Sequence, residues 1–172
     1  MNNLPILDNQ EIYKKITLIS QLLEIHAANE FKIKSYTNAA FTIKKCGLDL
    51  KNYSLPQLKE IKGIGNSIAE NIFELIQTNE IHLLNELMQK TPIGIVEMLK
   101  IKGIGPKKIN IIWKDLEIET IGELLYACNE NKLMLFKGFG QKTQENIQNG
   151  IILYLNSLGN FLYATVFEFA IS

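Results

Sequence analysis

This 172-residue chain contains no arginine: all eighteen of its basic residues are lysine. The bidentate guanidinium contact that most often reads guanine in DNA is therefore excluded, and sequence-specific recognition is not expected. Cysteine is scarce as well. Cys46 and Cys128 are the only two, far apart and in no Cys-x-x-Cys spacing, so neither a disulfide framework nor a zinc site is expected, and both read as ordinary buried or half-buried thiols. His26, His82 and the single Trp113 stand isolated, which makes them structural residues rather than metal ligands. No apolar run approaches the ~20 residues that span a bilayer. The opening Met-Asn-Asn-Leu-Pro lacks a basic segment leading into a long apolar one. No membrane partner and a cytoplasmic location are expected. What the chain does have is 47% hydrophobic residues, enough to build packed cores in one domain or two small ones.

The formal net charge is zero, but the charges are segregated. Residues 31–45 carry Lys32, Lys34, Lys44 and Lys45 with no acid, and residues 100–114 carry Lys100, Lys102, Lys107, Lys108 and Lys114, again with none. Acids gather after these stretches, at Glu70, Glu74, Glu80 and Glu86 and then at Asp115, Glu117, Glu119, Glu123 and Glu130. A neutral protein with two basic patches can still follow a polyanion.

The basic patches coincide with a repeat. Ile-Lys-Gly-Ile-Gly occurs at 61–65 and again at 101–105, and Phe-Lys-Gly-Phe-Gly occurs at 136–140. Each copy has a lysine (Lys62, Lys102, Lys137) before a glycine pair (Gly63 and Gly65, Gly103 and Gly105, Gly138 and Gly140) that brackets one apolar residue. An isoleucine follows at a constant offset, at Ile72, Ile112 and Ile147. This is the pattern of a helix-hairpin-helix. Glycine permits positive φ and lets a ligand approach the backbone. The bracketed residue plugs the space between the helices, and the outgoing helix starts with unpaired N–H groups suited to phosphate oxygens. A lone Gly-x-Gly is usually a plain turn; three copies in one frame, each with lysine, point to nucleic-acid backbone binding. Lys107, Lys108 and Lys142 extend the candidate contacts.

Helical spacing predicts an amphipathic helix from about Asn9 to Ala28, capped by Asp8 or Asn9, and a second from Glu30 to Lys45 ended by Gly47. Ser54-Leu-Pro-Gln57 reads as a capping box that starts the helix into the first hairpin, and Asn66 to Gln77 as the helix leaving it. Thr91-Pro92 starts a helix, Leu99 to Gly105 makes the second turn, Pro106 opens the helix leaving it, Thr120-x-x-Glu123 caps another, and Gln141 to Leu155 follows the third. No stretch alternates with period two, so the expected fold is all-α: two small helical modules, 1–80 and 81–172, carrying three helix-hairpin-helix motifs. Phe161 to Ser172 read either as a helix docked on the second module or as one continuing into a longer chain.

Phe31-Lys32-Ile33-Lys34-Ser35-Tyr36 with Ala39-Ala40, then Gly63-Ile64-Gly65 and Ile68-Ala69-Glu70, resemble the amino-terminal lyase domain of family X DNA polymerases, the bacterial branch above all. The second hairpin with Pro106-Lys107-Lys108, and the third with Gln141-Lys142-Thr143-Gln144-Glu145-Asn146-Ile147, look like that family's fingers subdomain, so the resemblance covers nearly the whole chain. Family members follow these with a palm domain whose Asp-x-Asp pair holds two metal ions, and bacterial ones often add a metallophosphoesterase domain. These 172 residues contain neither, and the nearest approach, Asp115-Leu116-Glu117, has no partner motif, so no polymerase site is expected in them.

The resemblance also implies a 5′-phosphate pocket at Phe31, Lys32, Tyr36 and Lys59. It implies a sodium or potassium ion held by main-chain oxygens of Lys59, Ile61 and Ile64 in the first hairpin and of Leu99, Ile101 and Ile104 in the second. The lyase nucleophile of the animal members lies six residues after the second glycine of the first hairpin, which is Asn71 here, and a phosphate-binding lysine is replaced by Ser67. An amide cannot form the imine that this chemistry needs. The expected function is therefore sequence-nonspecific binding of gapped or nicked duplex DNA, by a monomer that is nucleoid-associated when bound, with no catalytic residue in the chain. Two alternatives stand beside it: a 5′-deoxyribose phosphate lyase with Lys34 or Lys62 as displaced nucleophile, and a protein-interaction scaffold.

Overall fold

The fold, obtained as a computed structural model, describes residues 7–171, with side chains to residue 158. Its described residues form helices α1 (Asn9–Ile25), α2 (Glu30–Lys45), α3 (Leu55–Glu60), α4 (Asn66–Thr78), α5 (His82–Gln89), α6 (Ile93–Met98), α7 (Pro106–Lys114), α8 (Ile121–Asn129) and α9 (Gln141–Ile171), with no strand among them. The all-α expectation holds. Short 3₁₀ turns at Leu50–Asn52 and Leu133–Leu135 complete it.

Two compact units divide between Thr91 and Pro92, later than the boundary at residue 80 expected from sequence. The reason is local. Helix α5 packs on α1, and Ile81, Leu84 and Leu87 are buried. Thr91 closes this unit: its hydroxyl donates to the Leu87 carbonyl at 2.7 Å and meets His26 Nε2 at 2.8 Å. Thr91 thus finishes the first unit, and α6 begins after Pro92.

The first unit is built on the α1–α2 pair. Ile12, Ile16, Ile19, Leu22 and Ile25 recur on one face of α1 and are fully buried, against Tyr36, Ala39, Ala40 and Ile43 of α2. Asp8 caps α1, accepting from the Glu11 N–H at 2.8 Å, whereas Asn9 braces the chain after α2 by accepting from the Leu50 N–H at 3.0 Å. Helix α1 stops at Ile25, short of Ala28, because Ala27 turns left-handed with φ 50°. Gly47 is not the terminator expected for α2; the chain leaves through extended Cys46, with φ −70° and ψ 120°.

In the second unit α6 packs against α7 and α8, and α8 against α9. Two glycines permit this packing. A Cβ at Gly94 would run into the Glu119 carbonyl, and one at Gly150 into the Lys102 carbonyl, so α9 lies directly on the back of the second hairpin. Helix α9 continues past Leu155 to Ile171; the question of whether Phe161 to Ser172 dock on the unit lies outside the described side chains. Both cysteines are free thiols, Cys46 half-buried and Cys128 buried. Trp113 is a core residue whose Nε1 donates to Glu119 Oε1 at 3.0 Å.

Candidate nucleic-acid interface

Each repeated pentapeptide is a tight turn between helical segments. The N–H of the bracketed residue bonds back to the carbonyl three residues earlier: Ile64 to Ile61 at 3.0 Å, Ile104 to Ile101 at 3.4 Å, Phe139 to Phe136 at 3.1 Å. Gly63, Gly103 and Gly138 occupy the third position of these turns with φ of 95°, 99° and 92°. That conformation is the reason for glycine there. Ile64, Ile104 and Phe139 are buried plugs, and Ile72, Ile112 and Ile147 on the outgoing helices are each 0% exposed. The constant offset in the sequence is thus the register of a packed hairpin core.

The second glycines act differently. Gly65 has φ −75° and Gly105 φ −105°, values open to any residue, so positive φ is confined to the first glycine of each pair. Gly65 and Gly105 are the N-caps of α4 and α7 and supply no side-chain cap to the first amides. A Cβ built on Gly65, Gly105 or Gly140 meets nothing within 4 Å. These glycines therefore keep the space in front of the helix N-termini clear. Exposed Lys62, Lys102 and Lys137 stand in the turns themselves, with exposed Lys107 and Lys142 on the first turns beyond. Lys108 leans the other way, its ammonium 6.0 Å from the Phe139 ring centroid, tying the second hairpin to the third plug.

The first unit also holds a cleft of about 450 Å³ between α2, α4 and α5, lined by Lys32, Ser35, Tyr36, Ser67, Asn71 and Leu83 among others. Of the residues expected to form a pocket, Lys32 and Tyr36 line this cleft. Phe31 does not, being 80% exposed on the outer face of α2. Lys59 is drawn into an ion pair with Glu70 at 2.7 Å. Asn71 Nδ2 donates to the Tyr36 hydroxyl at 2.7 Å. Burial raises the Tyr36 pKa above its ordinary value and the bond from Asn71 partly offsets the rise, so the phenol stays protonated. At position 71 the cleft therefore carries an amide locked to a phenol. Lys34 pairs with Glu30 across one helical turn at 3.8 Å on the exposed surface, and Lys62 is exposed in its turn. Leu83 comes from α5, within the stretch 81–172 expected to form the second module, and no sequence signal marks it.

Comparison with known proteins follows this geometry. Residues 7–81 match a family model described as a helix-hairpin-helix domain, and residues 95–151 match one described as a SAM-like helix-hairpin-helix tandem. The first span holds one hairpin and the second holds two. The chain is 28% identical over 138 residues to the DNA polymerase/3'-5' exonuclease PolX of Bacillus subtilis strain 168, an alignment that takes in 80% of this chain and 24% of that relative's own length. Among the described residues no helix is long and apolar enough to cross a membrane. With both halves matched by helix-hairpin-helix models and four fifths of its length aligned to part of PolX, the chain carries two helix-hairpin-helix domains and is similar to one segment of a family X DNA polymerase.

Proposed function

We propose that this chain grips DNA by its sugar-phosphate backbone, without regard to base identity, as the DNA-holding portion of a family X repair polymerase, and that gapped or nicked duplex is its target. The observation that carries the reading is the threefold repeat of a glycine-cleared approach beside an exposed lysine: Gly65, Gly105 and Gly140 each front open space, and Lys62, Lys102 and Lys137 each stand three residues earlier. Amides at a helix N-terminus suit an anion, and each lysine adds a screened attraction of about 1 kcal/mol. A lysine is a point charge without the planar fork that reads base edges, in keeping with nonspecific binding. The relative's name, a DNA polymerase and exonuclease, supports the choice of DNA as the polyanion.

We propose that the same turns hold a sodium or potassium ion. The Ile61 and Ile101 carbonyls each accept one turn N–H and keep a second lone pair. With Lys59 and Ile64 in the first hairpin, and Leu99 and Ile104 in the second, they would supply a set of hard oxygen ligands. Such an ion would add positive charge at the turn facing a phosphate.

Salt dependence tests the reading. With at least three phosphate contacts, the logarithm of the binding constant for a short gapped duplex should fall against the logarithm of salt with a slope of roughly −3 or steeper. A slope near zero, or capture of a protein partner in place of DNA, would replace backbone binding with the scaffold reading. The lyase reading has less support, because position 71 in the cleft is an asparagine bonded to Tyr36 and not an amine.

A further inference from the structure

Leu135 breaks the frame that the hairpins otherwise share. Three residues before the first glycine, the first hairpin carries Glu60 and the second Lys100, both exposed and charged. The third carries Leu135, 82% exposed, next to Met134 at 41%. A scattered apolar residue on a surface needs no explanation. This pair is different in being held in a closed 3₁₀ turn at the entrance to the third hairpin. Leu133 beneath it is fully buried, and the backbone between is closed into a 3₁₀ turn by the Leu135 N–H on the Lys132 carbonyl at 3.3 Å and the Phe136 N–H on the Leu133 carbonyl at 3.0 Å. The flanking sequence is positive. No acid occurs from Asn131 to Gln144, whereas Lys132, Lys137 and Lys142 do. An apolar tip flanked along the chain by lysines is complementary to the interior of a polyanion. Three residues of chain reach at most about 10 Å, the scale that separates a phosphate from the bases of the adjoining groove.

We propose that Leu135, backed by Met134, is a wedge that enters the base stack beside the phosphate held by the third hairpin and makes the protein prefer interrupted duplex. The inference rests on the backbone-binding reading above and adds to it the residue that discriminates between DNA structures. Prying a base step open with an apolar side chain is costly in continuous duplex. The cost is least where pairing or stacking is already lost, as at a nick or the edge of a gap. A wedge therefore converts a nonspecific grip into selection for discontinuity, without reading any base.

The test measures binding of the wild-type protein and of Leu135→Ala and Leu135→Lys to intact, nicked and one-nucleotide-gapped duplexes of one sequence, with 2-aminopurine placed at the discontinuity. Wild-type protein should favour gapped over intact duplex by about tenfold and should raise the 2-aminopurine fluorescence. Leu135→Ala should lose most of that preference and the fluorescence response while keeping its affinity for intact duplex. Leu135→Lys should bind all three more tightly with no preference. A wild-type protein that binds without preference or fluorescence change, or a Leu135→Ala variant that retains both, overturns the wedge and leaves the backbone grip standing. Failure of the wild-type protein to bind any of the three overturns both readings together.

Discussion

Within each hairpin the two glycines have separable duties, and substitutions can tell them apart. Alanine at Gly103 must adopt φ near 99°, a left-handed conformation that costs on the order of 1–2 kcal/mol. Alanine at Gly105 adopts φ −105° freely and finds nothing within 4 Å, so stability should be unchanged while its methyl group stands where a phosphate would come. Denaturant unfolding alongside DNA titration should therefore find Gly103→Ala destabilised, and Gly105→Ala stable but several-fold weaker in binding; full affinity in Gly105→Ala would count against the amide contacts. The Asn71 amide yields a second residue-scale prediction. The wild-type chain should show negligible borohydride trapping on a 5′-deoxyribose phosphate end. Asn71→Lys should gain measurable trapping, since it puts an amine in a cleft beside Lys32, whose positive charge favours the neutral amine. Strong trapping by the unmodified chain, abolished at Lys34 or Lys62, would make it an enzyme after all.

At the scale of elements, one helix start and one helix crossing each depend on one or two residues. The start of α8 is held by a full capping box: the Glu123 N–H donates to Thr120 Oγ1 at 3.2 Å, and Glu123 Oε2 accepts from the Thr120 and Glu119 N–H groups at 3.0 Å each. These backbone bonds to Glu119 and Thr120 hold the Glu123 carboxyl below its usual value of 4.5. A depressed native pKa means a contribution that is whole above about 4.5 and is lost as pH falls through the lower native value. Thermal unfolding of wild-type protein against Glu123→Gln should show this part of the acid sensitivity disappear in the variant, whose amide oxygen still accepts but does not titrate in this range. The crossing of α9 over the second hairpin depends on Gly150. A methyl group there meets the Lys102 carbonyl, so Gly150→Ala should destabilise the second unit by about 1–3 kcal/mol and weaken DNA binding through the displaced turn. An unchanged melting curve would mean that the backbone can yield there at little cost.

At the scale of the whole molecule, reactivity and charge follow burial. Desolvation pushes the Cys128 thiol up to about 11, so it stays protonated and inaccessible at neutral pH, whereas half-buried Cys46 should label first with a thiol reagent in native protein. Rapid double labelling without denaturant would show that the second unit opens far more readily than its packed core implies. The sequence by itself determined the helical class, the three hairpins, their plugs and the isoleucines behind them, because glycine at a left-handed position and apolar residues at helical spacing are local requirements written in local sequence. Asn71 was legible too, at a counted offset from the first hairpin. Tertiary structure alone decided which glycine of each pair turns left-handed and which merely clears space, because that depends on the path of the flanking helices. It decided that Lys59 is held by Glu70 while Lys32 lines the cleft, and that α5 belongs with α1, because side-chain pairing and helix docking join residues far apart in the chain. Gly150 shows the difference most plainly: in the sequence it is a weak point in a helix, and only the crossing of α9 over the Lys102 carbonyl explains why no side chain fits there.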